Sequence, residues 1–341
     1  MLNLLSIDRL SGVVTSSFIL VASIVAGSLL GHFVPATGEQ LGSHLDYTLL
    51  ALVGLLFFGV RFDALLQVIK RLRFLAIALL ANFVAVPLIG YSIASLFLSA
   101  HPLLMVGLVI YFMAPCTDWF LSFTRLSGGD VALGTALIPV NMITQLLLYP
   151  FYLQWFTENS VQLEAGFIGS TLLQWFLLPL LVALAAHQLL RLLLKRSWFE
   201  YVLDRADQAT LWVTALLVLQ IFASNISIIL EHHAVLTWLL LAVFSFFLLT
   251  FLLSEGLSYL FRLPYPERAL LTMTMAARNA PLMLAVTLVA LPDQPLVYAA
   301  VVIGMLIEIP HLTALRHLLL SKRPCTTNES FDEKPMRKIL L

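Results

Sequence analysis

The hydrophobic positions of this chain fall into ten long runs that are separated by short polar connections. The runs lie near 14–34, 45–62, 72–98, 101–126, 131–156, 166–192, 207–230, 234–261, 267–291 and 295–319. A predominantly apolar stretch of about 20 residues is long enough to cross the hydrocarbon core of a bilayer as an α-helix. The pattern therefore predicts an all-α polytopic membrane protein with ten transmembrane helices and short loops.

The fourth and ninth runs are each interrupted by a proline next to a charged residue. The fourth contains Ala-Pro-Cys-Thr-Asp at 114–118, and the ninth contains Ala-Arg-Asn-Ala-Pro at 277–281. Proline removes one helical hydrogen bond and blocks another, so each helix is expected to break or kink there. Broken backbone persists at membrane depth only when it is buried in protein or lines a wet cavity. Two interrupted helices in corresponding positions indicate the binding site of a transporter.

The ten runs divide into two sets of five. Because five is odd, two homologous halves would have opposite orientations in the membrane. Runs five and ten add a parallel, since each places a polar residue beside a proline, at 139–141 and at 308–310. The sequence predicts two inverted five-helix repeats, 1–157 and 158–320, with discontinuous crossing helices four and nine. A polar segment, 321–341, is predicted to be a disordered cytoplasmic tail.

The charged positions predict an orientation. If the N-terminus is cytoplasmic, the inner connections and the tail receive 18 of the 19 Lys and Arg residues, and the nineteenth is Arg278 in the ninth run. The outer connections carry only acidic charges, which is what the positive-inside rule predicts. We therefore expect a multi-pass protein of the inner (cytoplasmic) cell membrane with both termini in the cytoplasm.

Composition narrows the function classes. The chain is 60% hydrophobic and 11% charged, with a formal net charge of zero and a mean hydropathy of +0.96, so a soluble domain is excluded and no electrostatic case for nucleic acid arises. No HExxH, GxSxG, Walker-A or GxGxxG element occurs in a usable context, so no enzyme, cofactor or metal site is expected. Cys116 and Cys325 are too far apart in predicted depth for a disulfide. The first residues carry no signal-peptide pattern.

Asp118 and Arg278 are the charged candidates beside the two interruptions. An unpaired charge at bilayer depth is costly, so each is expected to face the bundle interior with a partner. Crossing helices predict an Asp118–Arg278 ion pair. Three interpretations stay open: the pair locks the half-helices together, Asp118 titrates as a proton- or substrate-sensitive switch, or Arg278 binds an anionic substrate.

Other polar residues complete the predicted site. Cys116 is either inert filler or a thiol that meets the substrate, and thiolates favour soft metals and metalloids. Asn141 and Gln145 share a helical face and either join helices or line the site. Glu308 is a mid-span carboxylate and is expected to be functional. The predicted substrate-binding residues are Pro115, Cys116, Thr117, Asp118, Asn141, Gln145, Arg278, Asn279, Pro281 and Glu308, and the predicted proton-coupling residues are Asp118 and Glu308.

These residues resemble the arsenical-resistance (arsenite efflux) permeases of the bile acid:sodium symporter superfamily. The similar segments are Cys116 with Gly129-Asp130, then Asn141, Gln145 and Leu147-Leu148-Tyr149, then the ninth-span crossover at 276–286, and finally Ile307-Glu308-Ile309-Pro310. The resemblance implies ten spans arranged as a core and a panel domain. It also implies elevator-like alternating access and extrusion of a trivalent metalloid driven by proton entry.

The chain departs from these permeases at the ninth-span crossover. Where they carry Ser-Asn-Asn-Phe-Glu, this chain has Ala-Arg-Asn-Ala-Pro, so Arg278 replaces an asparagine and Pro281 replaces the glutamate. Asp118 is an addition just after the cysteine. We hypothesise that a carboxylate has moved from segment nine to segment four, with Arg278 as its counter-ion.

The sodium-coupled bile-acid branch fits less well. Its hydroxyl and amide sodium ligands correspond to positions near Phe120 and Leu121, and its crossover glutamate corresponds to a position near Thr274. Sodium coupling is therefore less expected than proton coupling, and Arg278 would be a fixed cation where a sodium ion would stand.

The sequence as a whole predicts a secondary active transporter, most simply a proton-coupled exporter of an arsenite- or antimonite-like metalloid or oxyanion. The alternative is an organic-anion transporter of the bile acid:sodium symporter type, with Arg278 anchoring the anion. The expected partners are the lipid bilayer, a small-molecule or ionic substrate and protons, and no nucleic acid.

Overall fold

The computed structural model describes residues 2–59, 71–117, 119–157, 178–231 and 233–323. Within these ranges the regular structure is helical, and the β-pairing is a single isolated bridge. The helices are α1 (Leu2–Phe33), α2 (Pro35–Gly42), α3 (Leu45–Phe58), α4 (Leu72–Leu80), α5 (Val86–Leu98), α6 (Pro102–Met113), α7 (Trp119–Leu126), α8 (Val131–Thr157), α9 (Leu178–Leu193), α10 (Arg196–Glu231), α11 (Leu236–Leu260), α12 (Tyr265–Ala276), α13 (Ala280–Ala290) and α14 (Pro295–Ser321).

Most of the predicted runs coincide with these helices to within a few residues. The third run is α4 and α5, which one π-helical turn at Ala81–Ala85 joins into a continuous span. Among the described residues, five helices are individually long and apolar enough to cross a membrane, or six if the bent pair α2–α3 counts as one span. Shorter apolar helices occupy other runs. The chain is thus an all-helical, multi-pass membrane protein, while the count of ten spans in two inverted repeats stays a prediction.

Helix bounds differ from the prediction at α1, α2 and α10. The helix α1 begins at Leu2 rather than near residue 14 and has 32 residues. Pro35–Gly42 is a short helix that is bent by 47° from α3. This segment was predicted to be an outer connection, because it is too polar to be recognised as part of an apolar run. The helix α10 begins at Arg196 rather than near residue 207 and has 36 residues. At 1.5 Å per residue it is about 54 Å long, well beyond a ~30 Å hydrocarbon core. The segment 196–208 contains no proline or glycine that would separate it from the apolar run, so the helix extends back to Arg196.

The helices pack in two groups. Helices α1, α2, α3, α9 and α10 pack mainly on one another, and α4–α8 with α11–α14 form the second group. Small residues allow close approach in the first group, because a Cβ on Gly27 or Gly31 of α1 would lie 2.4 or 2.2 Å from a carbonyl oxygen of α10. Both interrupted runs belong to the second group, so this group positions the candidate site.

Charged side chains link the ends of several helices in the second group. Arg268 of α12 donates from Nε to Oε1 of Glu255 at 2.8 Å and makes a second contact through Nη2. Lys322, which follows α14, donates to the same carboxylate at 2.8 Å. The hydroxyl of Tyr265 donates to the carbonyl of Ser127 at 2.8 Å. These contacts tie α11, α12, α14 and the α7–α8 connection together on the predicted cytoplasmic side.

Some predicted features lie outside the described residues. They are Asp118, the end of the second run at 60–62, the first part of the sixth run, the start of the second predicted repeat at residue 158, and the tail from residue 324 onward.

Candidate functional site

The first interruption separates α6 from α7. The helix α6 ends at Met113, and α7 begins at Trp119. Ala114 is extended, with φ −108° and ψ 118°. Proline disfavours helical geometry in the residue before it, so Pro115 accounts for this conformation. The break predicted from the fourth run is therefore observed.

The second interruption separates α12 from α13. The helix α12 ends at Ala276, and Ala277 is extended, with φ −79° and ψ 136°. Asn279 caps α13 because its side chain accepts from the backbone N–H of Leu282 at 3.4 Å. Pro281 lies in the first turn of α13, where its missing N–H leaves no helical bond unmade. Proline here marks the start of a half-helix rather than the break itself.

The two interrupted segments cross and satisfy each other's backbone groups. The N–H of Cys116 donates to the carbonyl of Ala277 at 3.0 Å, and the N–H of Asn279 donates to the carbonyl of Ala114 at 2.9 Å. Together they form a short antiparallel bridge. Backbone groups left unpaired in a bilayer cost several kcal/mol each, so this mutual pairing stabilises non-helical backbone at membrane depth.

Arg278 lies opposite Pro115 in this bridge and is fully buried. Its Nη1 donates to the carbonyl of Phe112 at 3.1 Å, and its Nη2 donates to the carbonyls of Thr274 and Met275 at 2.9 and 2.6 Å. These carbonyls belong to the last turns of α6 and α12, where helices leave acceptors unsatisfied and carry partial negative charge. A single guanidinium therefore caps the C-terminal ends of both first half-helices.

Aromatic rings cover the guanidinium of Arg278. Its Cζ lies 5.9 Å from the ring centroid of Phe246 on α11, a cation–π distance. Phe246 in turn stacks on Phe112, with the ring centroids 3.7 Å apart and the planes inclined by 14°. The cation is thus held between helix-end carbonyls and an apolar stack, which fixes its position.

The crossing also gathers small polar groups. Cys116 is 1% exposed, and Thr117 is 6% exposed. The side-chain amide of Asn279 donates to the hydroxyl of Thr117 at 3.3 Å. The crossing therefore brings a thiol, a hydroxyl and an amide together, while their role in substrate binding stays a prediction.

Glu308 of α14 reaches the same region through a tyrosine. The hydroxyl of Tyr111, one turn from the end of α6, donates to Oε2 of Glu308 at 2.9 Å, and both residues are buried. Gly304 makes this contact possible, because a Cβ there would lie 2.6 Å from the Tyr111 ring. Arg278 interacts electrostatically with Glu308, Tyr111 and Cys116, so all four groups belong to one electrostatic neighbourhood.

Asn141 and Gln145 take different places. Asn141 of α8 donates to the hydroxyl of Thr274 at 3.4 Å, and Asn82 donates to the same oxygen at 3.1 Å. The Asn141 amide thus joins α8 to α12 just before the second interruption. Gln145 is 3% exposed, and within the described part of the chain its amide atoms have no hydrogen-bond partner.

Two hydrogen-bonding residues of this arrangement, Tyr111 and Asn82, were not predicted from the sequence. Tyr111 was hidden in an aromatic-rich apolar run, and only its position one turn before a proline break could have marked it. Asn82 is a polar residue inside a long apolar run, which is the same signal that singled out Asn141. Asp118 lies outside the described residues, so its pairing with Arg278 stays a prediction.

The arrangement defines a class of protein. Interrupted helices that meet inside a membrane bundle, with their ends facing one another, are typical of membrane transporters. Within the described residues no group of three or more His, Cys, Asp and Glu side chains is placed to hold a metal ion.

Comparison with known proteins specifies the family. The model of the Sodium Bile acid symporter family matches residues 48–232, more than half of the chain, and the chain belongs to this family. It is 26% identical over 273 residues to the arsenical-resistance protein Acr3 of Corynebacterium glutamicum, covering 76% of this chain and 74% of the relative. It is 24% identical over 320 residues to Acr3 of Alkaliphilus metalliredigens, covering 86% and 88%. The resemblance found in the sequence is thereby confirmed, and the chain is a transporter rather than an enzyme.

Proposed function

We propose that this chain is a secondary active transporter that exports a trivalent metalloid hydroxide, of the arsenite or antimonite kind, in exchange for protons. The observation that carries the proposal is the hydrogen-bonded crossing of two interrupted helices with a buried thiol, Cys116, within it. Similarity to two proteins named for arsenical resistance supports the substrate class.

The proposal includes the architecture predicted from the sequence. Ten spans in two inverted repeats, 1–157 and 158–320, would place both termini in the cytoplasm of the inner membrane. The occurrence of an interruption in the fourth run of each half supports the repeats. The division of the helices into two packed groups supports alternating access, in which one group moves against the other.

The chemistry of the crossing suits a metalloid hydroxide. A thiol such as Cys116 is a soft ligand with affinity for metalloids. Thr117 and Asn279 offer a hydroxyl and an amide that can hydrogen-bond to the hydroxyl groups of such a substrate. The N-terminal ends of α7 and α13 adjoin the breaks, and their dipoles favour developing negative charge there. Pro115 and Pro281 flank these groups at the two breaks and complete the predicted lining.

Proton coupling would use the carboxylates. Glu308 accepts from Tyr111 and interacts with the cation of Arg278, so protonation of Glu308 would change the electrostatic balance at the crossing. Asp118 is retained as a second coupling residue on its position in the sequence. Sodium is disfavoured because the guanidinium of Arg278 already occupies carbonyls at the helix ends, which is where broken-helix transporters coordinate their ions.

The same contacts count against the organic-anion alternative. Three hydrogen bonds commit the two Nη atoms of Arg278 to carbonyls, and among the described residues its Nε has no partner. A bidentate grip on a carboxylate or sulfonate would require those bonds to break. We therefore assign Arg278 to holding the crossing and the metalloid role to Cys116, with Asn141 and Gln145 as neighbouring polar lining.

The thiol assignment can be tested with everted membrane vesicles. Cys116→Ser should lower arsenite accumulation by an order of magnitude or more, because an alcohol is a hard ligand with little metalloid affinity. Cys325→Ser is the matched control, since it removes the other cysteine of the chain and should transport like the parent. Full transport by Cys116→Ser would remove the thiol from the mechanism.

The coupling assignment needs a separate experiment. Transport is measured with and without an imposed proton gradient for Glu308→Gln and Asp118→Asn. Each substitution fixes a neutral side chain, so the variant that carries the coupling proton should lose its response to the gradient. If both variants respond like the parent, another residue carries the proton. Repeating the assay with taurocholate in place of arsenite tests the alternative substrate class.

A further inference from the structure

A cavity outside the crossing lies at the start of α4 and the connection between α11 and α12. Its volume is about 340 Å³, within the roughly 300–1,000 Å³ range of ligand pockets. Its charged lining residues are Arg71, Arg73, Arg262 and Glu267, and apolar side chains such as Leu72 and Phe261 complete it. Three arginines and one glutamate give this lining an excess of two positive charges (3 − 1).

Two of the arginines are fixed across the cavity. Arg71 donates from Nη1 to Oε1 of Glu267 at 3.0 Å, and Arg73 donates from Nη2 to the carbonyl of Phe261 at 2.7 Å. Each guanidinium has five N–H donors, so these single contacts leave most of the donors available for an anion. These contacts therefore hold two exposed arginines at the cavity with N–H donors to spare.

The third arginine occupies an unusual backbone position. Arg262 lies just past the C-terminus of α11 with φ 50°, and the N–H groups of Arg262 and Leu263 donate to the carbonyls of Tyr259 and Ser258. This is the Schellman arrangement, in which the left-handed residue is usually glycine. A side chain there is unfavourable, because its Cβ crowds the following carbonyl oxygen. The fold tolerates that cost, and the result is a third guanidinium on the cavity rim.

The surface beside the cavity is apolar and exposed. Leu72 is 63% exposed, and Tyr259 and Leu260, just before the cavity lining, are 88% and 70% exposed. In a membrane protein such side chains face lipid. An anion that entered the cavity with an attached acyl chain would therefore meet apolar surface directly outside it, which a free phosphate ion would not use.

We propose that this cavity binds the phosphodiester headgroup of an anionic phospholipid. Arginine pairs with phosphate in a planar, two-bond geometry, and basic pockets at the cytoplasmic membrane surface are suited to such headgroups. All three arginines fall on the side that the charge distribution predicts to be cytoplasmic. The bound lipid would link α4 to the connection that leads into the second interrupted run. This site is independent of the transported substrate.

Native mass spectrometry of the full-length chain in detergent tests the site. Phosphatidylglycerol should bind, whereas phosphatidylcholine, which has the phosphodiester without net charge, should bind at least about tenfold more weakly. Glycerophosphoglycerol and inorganic phosphate are the arms that lack acyl chains. If either binds as tightly as phosphatidylglycerol, the site is one for free phosphate and the lipid assignment is wrong.

Arg262→Gly distinguishes loss of binding from loss of folding. It should raise the thermal midpoint of the lipid-free protein, because glycine suits the left-handed position, and it should weaken phosphatidylglycerol binding about fivefold. Arg73→Gln should weaken binding to a similar extent. Arg205→Gln, an exposed arginine on α10 outside the cavity, is the control and should bind like the parent. Equal phosphatidylglycerol binding by the parent, Arg262→Gly and Arg73→Gln would overturn the proposal.

Discussion

Two kinds of proline-containing helix occur side by side in this protein. In α8 and α14, Pro139, Pro150 and Pro310 lie inside helices that continue through them. At Pro115 the backbone leaves the helix altogether, and Pro281 begins a new half-helix just after the second break. The same residue type therefore accompanies both an unbroken and a broken span.

The difference lies in what the freed backbone groups find. A proline inside a helix leaves one acceptor without its usual donor, and the rest of the helix continues. At the crossing, each interrupted segment supplies a donor and an acceptor to the other, and Arg278 caps carbonyls on both sides. A membrane helix is thus broken where its unpaired N–H and C=O groups find other hydrogen-bond partners. Proline alone is not sufficient to break it.

Arg278→Ala should have the largest effect on this comparison. It leaves the carbonyls of Phe112, Thr274 and Met275 without their donors in a buried site, at about 1–3 kcal/mol for each unsatisfied group. We expect the thermal midpoint in detergent to fall sharply and transport to be lost. Arg278→Lys keeps the charge without the planar fork and should be intermediate. An unchanged midpoint in Arg278→Ala would show that the guanidinium does not hold the crossing.

Gly304→Ala should have a smaller effect, on the contact between the unbroken α14 and the broken span. The added Cβ would lie 2.6 Å from the Tyr111 ring, so the ring must move away from Glu308. Overpacking of this kind costs about 1–3 kcal/mol. Gly54→Ala is the control, since no atom lies within 4 Å of its added Cβ. Equal thermal midpoints for the two variants would mean that α14 can move away from the Tyr111 ring without loss of stability.

Pro115→Ala and Pro310→Ala should have the smallest effects and test the comparison most directly. If the crossing bonds hold the break, Pro115→Ala keeps both the break and arsenite transport. Pro310→Ala restores one helical hydrogen bond, a net gain of about 0.5–1.5 kcal/mol, and should raise the midpoint slightly. Loss of transport in Pro115→Ala, with the protein still folded, would instead make the proline the cause of the break.

Much of the fold could be predicted from the pattern of apolar runs, but one short helix and the partners of Arg278 could not. Run lengths located α11 and α14 to within a few residues, and proline beside charge located both breaks. The short helix α2 was missed because its polarity is that of a loop. The partners of Arg278 were also missed, since backbone carbonyls carry no sequence signature. Charged residues in a sequence indicate side-chain counter-ions, whereas helix ends can satisfy a buried guanidinium.

The linkage of Glu255 with Arg268 and Lys322 has a mechanical consequence. One carboxylate holds cations from two other helices, so α11, α12 and α14 share a common anchor at their predicted cytoplasmic ends. A displacement of any one of them is transmitted to the other two without passing through the bilayer interior. The second interrupted run and the helix bearing Glu308 would therefore move as one rigid unit. A high salt concentration screens exposed charges and would weaken the ion pairs of Glu255 before other contacts.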